Sequence, residues 1–216
     1  MRIPLTTLGG WQLVLLGFAP LALGADMTAV HWSAGIIPFL LAAFTLNFFR
    51  DPERAVPTDE GVLVSAADGK VVNILEVDEP VYLKGRGYRV GVFLNVFNVH
   101  VNRSPGAGVV ECVEYKKGKF LDARDERISE ENEANAIGIR LDDGRKVLVR
   151  QVAGLIARRI VCTVKVGDRV ERGDRIGMIK FGSYTEVVVE PDAGLTAAVT
   201  IGQKVKGASD VLMRPA

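Results

Sequence analysis

Two hydrophobic patterns meet at Phe49. Before it the chain is almost continuously apolar, in a short stretch from Trp11 to Ala25 and a longer one from Ala29 to Phe49. The longer stretch suffices for a membrane-spanning helix, which needs about 20 apolar residues; the shorter reaches that length only with Leu5 to Gly10 included. The pattern predicts an α-helical membrane hairpin over residues 1–49, in which Pro20 and Pro38 are of the kind that spanning helices tolerate. After Arg50-Asp51-Pro52-Glu53-Arg54 the pattern changes. Short runs rich in β-branched residues alternate with turn residues: Gly61 to Ser65, Val71 to Val77, Val90 to Val96, Val109 to Tyr115, Ala136 to Leu141, Lys146 to Val152 and Ile160 to Val166. Such runs predict an all-β sandwich or barrel over residues 50–216, and Asp143-Gly144 between two of them is a hairpin signal.

A weak internal echo sharpens that expectation. Val164 to Val170 resembles Val199 to Val205, each reading as strand, glycine turn and strand on either side of Gly182-Ser183. Two related hairpins facing one another suit a flattened β-sandwich of the kind seen in biotinyl and lipoyl carriers.

Charge fixes an expected orientation. Of the 27 basic and 26 acidic residues only Arg2 and Asp26 precede Arg50. The link Ala25 to Ala29 carries Asp26 and no cation, whereas Arg50 and Arg54 follow the second stretch directly. The positive-inside rule then puts the N-terminus and the β domain on the cytoplasmic side of a cell membrane. Arg2 and the small residues of Ala22-Leu23-Gly24-Ala25 also suit a signal peptide, but a second apolar stretch follows almost at once and favours the hairpin. A net charge of +1 gives no electrostatic case for nucleic acid.

Several chemistries lack their residues. Cys112 and Cys162 have no metal-ligand spacing and read as buried free thiols in a cytoplasmic domain; with one further histidine, His100, no zinc site is expected. Gly85-Arg86-Gly87 does not continue into a dinucleotide fingerprint, and no phosphate-binding loop occurs. Arg124 to Asn135, the most polar stretch, reads as a solvated loop.

The residues with chemical promise are few. Phe181-Gly182-Ser183 ends a segment rich in Val, Ile and Gly, and a serine hydroxyl can attack a neighbouring glycine carbonyl when a base removes its proton. His100 suits that base, because imidazole transfers protons near neutral pH. The alternation Val92, Leu94, Val96 puts His100 at or near a strand end, where a lone histidine also serves as a structural residue. Asp68, before Gly69, is a turn residue on one reading and the carboxylate orienting His100 on the other.

In this order the segments resemble phosphatidylserine decarboxylase in its short form. The resemblance rests on Phe48 to Arg54, Ser65 to Val71, Val96 to Pro105, Gln151 to Gly154 with Ala157 to Ile160, and Ile179 to Ser183, and runs from the first apolar stretch to near Val189. Many members carry a second histidine where this chain has Phe97, and Thr or Arg where it has Tyr184. The resemblance implies a proenzyme in which Asp68 orients His100, His100 deprotonates Ser183, and Ser183 attacks the Gly182 carbonyl. It implies cleavage into residues 1–182 and 183–216, with Ser183 becoming a covalent pyruvoyl cofactor. Through a Schiff base that group would decarboxylate phosphatidylserine to phosphatidylethanolamine. No metal is implied. The implied partners are the lipid substrate and the membrane, and the sequence is compatible with a homodimer; Arg103 and Lys180 are candidates for the lipid phosphate.

Two other readings stand beside it. A membrane-tethered, non-enzymatic β-sandwich carrier or binding module would leave Gly182-Ser183 uncut and need an exposed modified lysine or a partner. A pyruvoyl decarboxylase of a soluble amino acid would cut but gain nothing from an anchor.

Overall fold

The computed structural model describes residues 36–121, 127–154, 159–180 and 183–216. The chain divides into two compact units, Met1–Glu53 and Arg54–Ala216. The first apolar stretch, the link and the start of the second lie outside the described residues. In the first unit the 13-residue helix α1 (Ile36–Phe48) is apolar except for Thr45 and Asn47, with Ile37, Phe39 and Leu40 exposed. Among the described residues no helix is long and apolar enough to cross a membrane.

The second unit is mainly β, as its alternating runs predict. Its strands are β1 (Leu63–Val64), β2 (Gly69–Glu79), β3 (Gly85–Leu94), β4 (Val101–Arg103), β5 (Gly108–Lys116), β6 (Ala134–Leu141), β7 (Lys146–Ala153), β8 (Arg159–Cys162), β9 (Arg169–Val170), β10 (Arg175–Lys180), β11 (Ser183–Val189), β12 (Leu195–Ala197), β13 (Lys204–Val205) and β14 (Val211–Pro215). A curled sheet of eight has the order β13-β2-β3-β11-β7-β6-β5-β9, and two sheets of three have the orders β1-β14-β12 and β4-β10-β8. One core joins all three sheets, through Val71, Val92, Ile137, Val149 and Val187 of the large one and Leu63, Ile176, Leu195 and Leu212 of the small ones.

The echo in the sequence marks a duplication of the whole β unit. Gly167 and Gly202 both have φ +93°, and each is followed by a two-residue strand on opposite edges of the large sheet. Gly167 N donates to Val110 O and Gly202 N to Val71 O, both at 2.8 Å. β2 and β5 share a bulge, between Val71 and Asn73 in one and Val110 and Cys112 in the other. The sheet of β1, β14 and β12 repeats that of β4, β10 and β8. Both orders read the same from either half, and the pairing of Val187 with Val149 falls on the pseudo-two-fold axis. Register therefore equates Leu63 with Asn102, Gly61 with His100, Val147 with Thr185 and Arg145 with Ser183.

Two expectations are corrected. Arg124 to Asn135 is not simply a solvated loop: Ile128 is buried in the short helix α2 (Ile128–Glu131), and Asn132 and Asn135 are buried. Asn132 donates to Ala153 O at 2.7 Å and accepts from Leu121 N, because this segment must satisfy the backbone at the strand ends it crosses. The cysteines are free as expected, but half-buried.

Behind the core face, Glu186 of β11 is fully buried between Arg89 (2.9 Å) and Arg150 (3.2 Å), and Arg150 also bonds Glu79 at 3.0 Å. Removing one member of such a set leaves an uncompensated buried charge, so Glu186→Ala is expected to cost about 3–5 kcal/mol in denaturant unfolding. Gly91, opposite Glu186, leaves room for the Tyr184 hydroxyl, which a Cβ there would meet at 1.8 Å. Gly91→Ala is expected to lower stability by about 1–3 kcal/mol or more, read as a shift in the melting temperature.

Candidate active site

Four strand ends converge at one end of the large sheet. Ser183 opens β11 between Leu94, the last residue of β3, and Ala153, the last of β7; Lys70, near the start of β2, faces Phe93. Ser183 is fully buried, and its Oγ has no hydrogen-bond partner among the described residues. A hydroxyl in that state carries an uncompensated desolvation cost, which stability alone would remove by substitution. Gly182, the other half of the expected scissile bond, lies outside the described residues.

His100 is not at the end of the strand before it. β3 stops at Leu94, because Asn95 and Asn98 close a tight turn: Asn98 Oδ1 accepts from Asn95 N (2.9 Å) and Asn95 Oδ1 from Phe97 N (2.8 Å). The chain then re-enters with His100 just before β4, fully buried. His100 Nδ1 is 3.0 Å from Asn98 O. A carbonyl only accepts, so Nδ1 is the donor in that bond and Nε2 is the ring nitrogen suited to act as a base. The turn that ends β3 thus also selects the basic nitrogen.

The topology carries His100 to the corner that holds Ser183. β4 is antiparallel to β10, and Ile179 N donates to His100 O at 3.3 Å. The chain passes Gln151 twice: a Cβ on Gly177 would lie 2.7 Å from Gln151 Nε2, and Thr185 pairs with Gln151 in the sheet. Asn102 Nδ2 donates to Thr185 Oγ1 at 3.0 Å. Two residues earlier on the two segments stand His100 and Ser183. The duplicated half agrees, since Arg145, the counterpart of Ser183, donates to the carbonyl of Gly61, the counterpart of His100, at 3.0 Å.

Asp68 lies in the bend before β2, where Gly69 is obligatory because a Cβ would fall 2.2 Å from Phe93 O. Its Oδ1 accepts from Gly207 N (2.8 Å) and its Oδ2 from Arg54 (2.7 Å), at 13% side-chain exposure for both partners of the ion pair. Sequence reasoning did not single out Arg54 as a partner of Asp68. Only its place just after the apolar region distinguished it.

Lys180, last residue of β10 and opposite Arg159 in the ladder, is 5% exposed. Burial, with Arg159 across the strand pair, holds its ammonium below the usual lysine range. A side chain so enclosed does not present the exposed lysine that a biotinyl or lipoyl carrier modifies. Arg103, also buried, donates to Gly173 O at 3.0 Å. Among the described residues no group of His, Cys, Asp and Glu could hold a metal ion. A cleft of about 310 Å³ lined by Val81, Ser129, Ala136 and Arg150 includes none of Asp68, His100 and Ser183.

The arrangement is a buried serine at a strand start and a buried histidine on a segment tied to the serine's strand through Asn102 and Thr185. It suits proton removal from a hydroxyl in a site shielded from water. The sequence profile of the phosphatidylserine decarboxylase family matches residues 41–213. The chain is 47% identical over 213 residues to the phosphatidylserine decarboxylase proenzyme of Symbiobacterium thermophilum, covering 96% of this chain and 97% of the relative. It is 46% identical to the proenzyme of that name from Carboxydothermus hydrogenoformans (95% and 94% covered) and 48% identical to that of Ralstonia nicotianae (85% and 86%). The chain belongs to the phosphatidylserine decarboxylase family.

Proposed function

We infer that the protein is a proenzyme that becomes a pyruvoyl-dependent decarboxylase of phosphatidylserine, yielding phosphatidylethanolamine and carbon dioxide. The family match over nearly the full length of both chains supports the reaction. The buried Ser183 Oγ, without a hydrogen-bond partner among the described residues, is the observation that carries the self-processing step.

In the proposed step His100 Nε2 takes the Ser183 hydroxyl proton, and Oγ attacks the Gly182 carbonyl carbon. The peptide C–N bond breaks and an ester links Gly182 to the Ser183 side chain. Loss of the Ser183 α-proton breaks the Cβ–O bond, releasing a chain that ends in the Gly182 carboxylate. Water then replaces the nitrogen left on residue 183, freeing ammonia and leaving the pyruvoyl ketone. That ketone, once formed, supplies an electron sink for an amine substrate. In this reading His100 returns a proton to the reacting carbon, Asp68 orients His100, and Lys180 and Arg103 offer positive charge toward the lipid phosphate.

The finer reading keeps the membrane. The apolar stretches of residues 1–49 are proposed as a helical hairpin that holds the β domain at the cytoplasmic face of the cell membrane, within reach of a lipid headgroup. The β unit is proposed as a duplicated relative of the hairpin sandwich of biotinyl and lipoyl carriers. A second copy of the chain is a compatible partner. Supply of phosphatidylserine in vesicles against free serine tests the substrate: lipid alone should yield carbon dioxide, and turnover of free serine at a comparable rate would instead support an amino-acid decarboxylase.

A further inference from the structure

Four buried polar side chains line the core face beside Ser183. Asn135 Nδ2 donates to Gln151 Oε1 (3.0 Å), Gln151 Nε2 to Asn102 Oδ1 (2.9 Å), and Asn102 Nδ2 to Thr185 Oγ1 (3.0 Å). Their exposures are 3%, 0%, 0% and 1%. The donors all point one way along the chain of bonds, from β6 across β7 to β4 and then to β11.

The duplication supplies a control inside the molecule. The counterparts of Asn102, Thr185 and Gln151 are Leu63, Val147 and Val189, buried together in the apolar core, and that of Asn135 is Tyr88, packed against it. The same backbone therefore closes its corner without this chain of amide and hydroxyl bonds in the half that lacks Ser183, where Arg145 reaches the Gly61 carbonyl instead. Buried amides cost free energy unless every partner is in place, and an apolar set of like volume serves a core as well or better. The polar set is not required by the fold.

We propose that Asn135, Gln151, Asn102 and Thr185 are positioning residues for self-cleavage, tying β4 to β11 so that His100, two residues before Asn102, is held toward Ser183, two residues before Thr185. The inference rests on the reading of His100 and Ser183 given above. The bond between Asn102 and Thr185 is directional, whereas Leu63 against Val147 is not. An apolar contact lets two strands slide by fractions of an ångström at little cost, and displacements of that size slow a proton transfer and attack steeply.

The test follows the cutting of newly synthesised full-length chain over time, by denaturing mass spectrometry, together with the melting temperature of each variant. Thr185→Val, nearly isosteric, is expected to slow cutting about 10-fold to 100-fold, and Thr185→Ser to restore most of the rate. Asn102→Leu should slow cutting as Thr185→Val does. Val147→Thr, the mirror change in the other half, should lower the melting temperature without slowing cutting; should it not fold, the contrast between Val and Ser at residue 185 carries the same information. Cutting of Thr185→Val at the wild-type rate, or rates that follow melting temperature across all variants, would overturn the proposal. Ser183→Ala run alongside separates the two readings: if it were still cut, the assignment of the cleavage residue would fail; if it stays whole, Thr185→Val judges the network alone.

Discussion

Replacing Ser183 with alanine is expected to leave one uncut chain of 216 residues with no decarboxylase activity above background. The change removes only an oxygen that makes no hydrogen bond among the described residues, so no bond to them is lost and the burial of the site is kept. Alanine fits the same extended backbone between Leu94 and Ala153. Stability should therefore hold or rise slightly, since an orphaned buried hydroxyl is unfavourable. Loss of function with stability kept separates a reacting serine from a structural one. The measurement pairs a denaturing gel with carbon dioxide release and a melting curve.

Replacing His100 with glutamine should slow self-cleavage by about 10²–10⁴-fold, the range that a positioned general base contributes. Glutamine keeps a polar group where Nδ1 meets Asn98 O, and β4 stays anchored through Asn102 and the Ile179 N–H to residue 100 O bond. It lacks a nitrogen lone pair able to take the Ser183 proton. The uncut chain should accumulate and convert over hours to days, with folding intact by near-ultraviolet circular dichroism. Cleavage at the wild-type rate would assign the base to another group.

Both predictions concern a corner that the sequence showed only as separate pieces. His100, Ser183 and Asp68 stood out by chemistry: His100 is the one histidine after the apolar region, Ser183 follows a glycine, and Asp68 sits at an Asp-Gly turn. The link between the His100 and Ser183 segments depends on pairings such as His100 O with Ile179 N and Asn102 with Thr185, across 79 and 83 positions. Such pairings leave no local periodicity. The long hairpins were legible, because alternation and Asp143-Gly144 are local signals: β6 and β7 pair as that turn predicts. The two-residue strands β9 and β13 surfaced only as an echo of glycine turns. β4 was missed, because three residues between a turn and a proline carry no pattern. Its side chains, Val101, Asn102 and Arg103, are all buried, so they do not alternate either.

The duplication explains why a mainly β unit can hold such a site. Two equivalent corners arise from one repeated backbone, and one keeps Leu63, Val147 and Val189 while the other has Asn102, Thr185 and Gln151. Stability rests on the apolar corner and the shared core. The polar corner is left able to carry a buried hydroxyl without a partner. The same architecture bears on the product of cutting. Ser183 to Val189 pairs along its whole length with both β3 and β7, so the 183–216 chain supplies a central strand of the large sheet and should stay attached in native buffer. Size-exclusion chromatography would show one species where a denaturing gel shows two.

The intact mass of the purified protein under denaturing conditions tests the central claim most directly. The account predicts two chains, residues 1–182 and a 34-residue chain, 183–216, whose first residue has the mass of a pyruvoyl group in place of serine. A single 216-residue chain in folded, lipid-decarboxylating protein would contradict it.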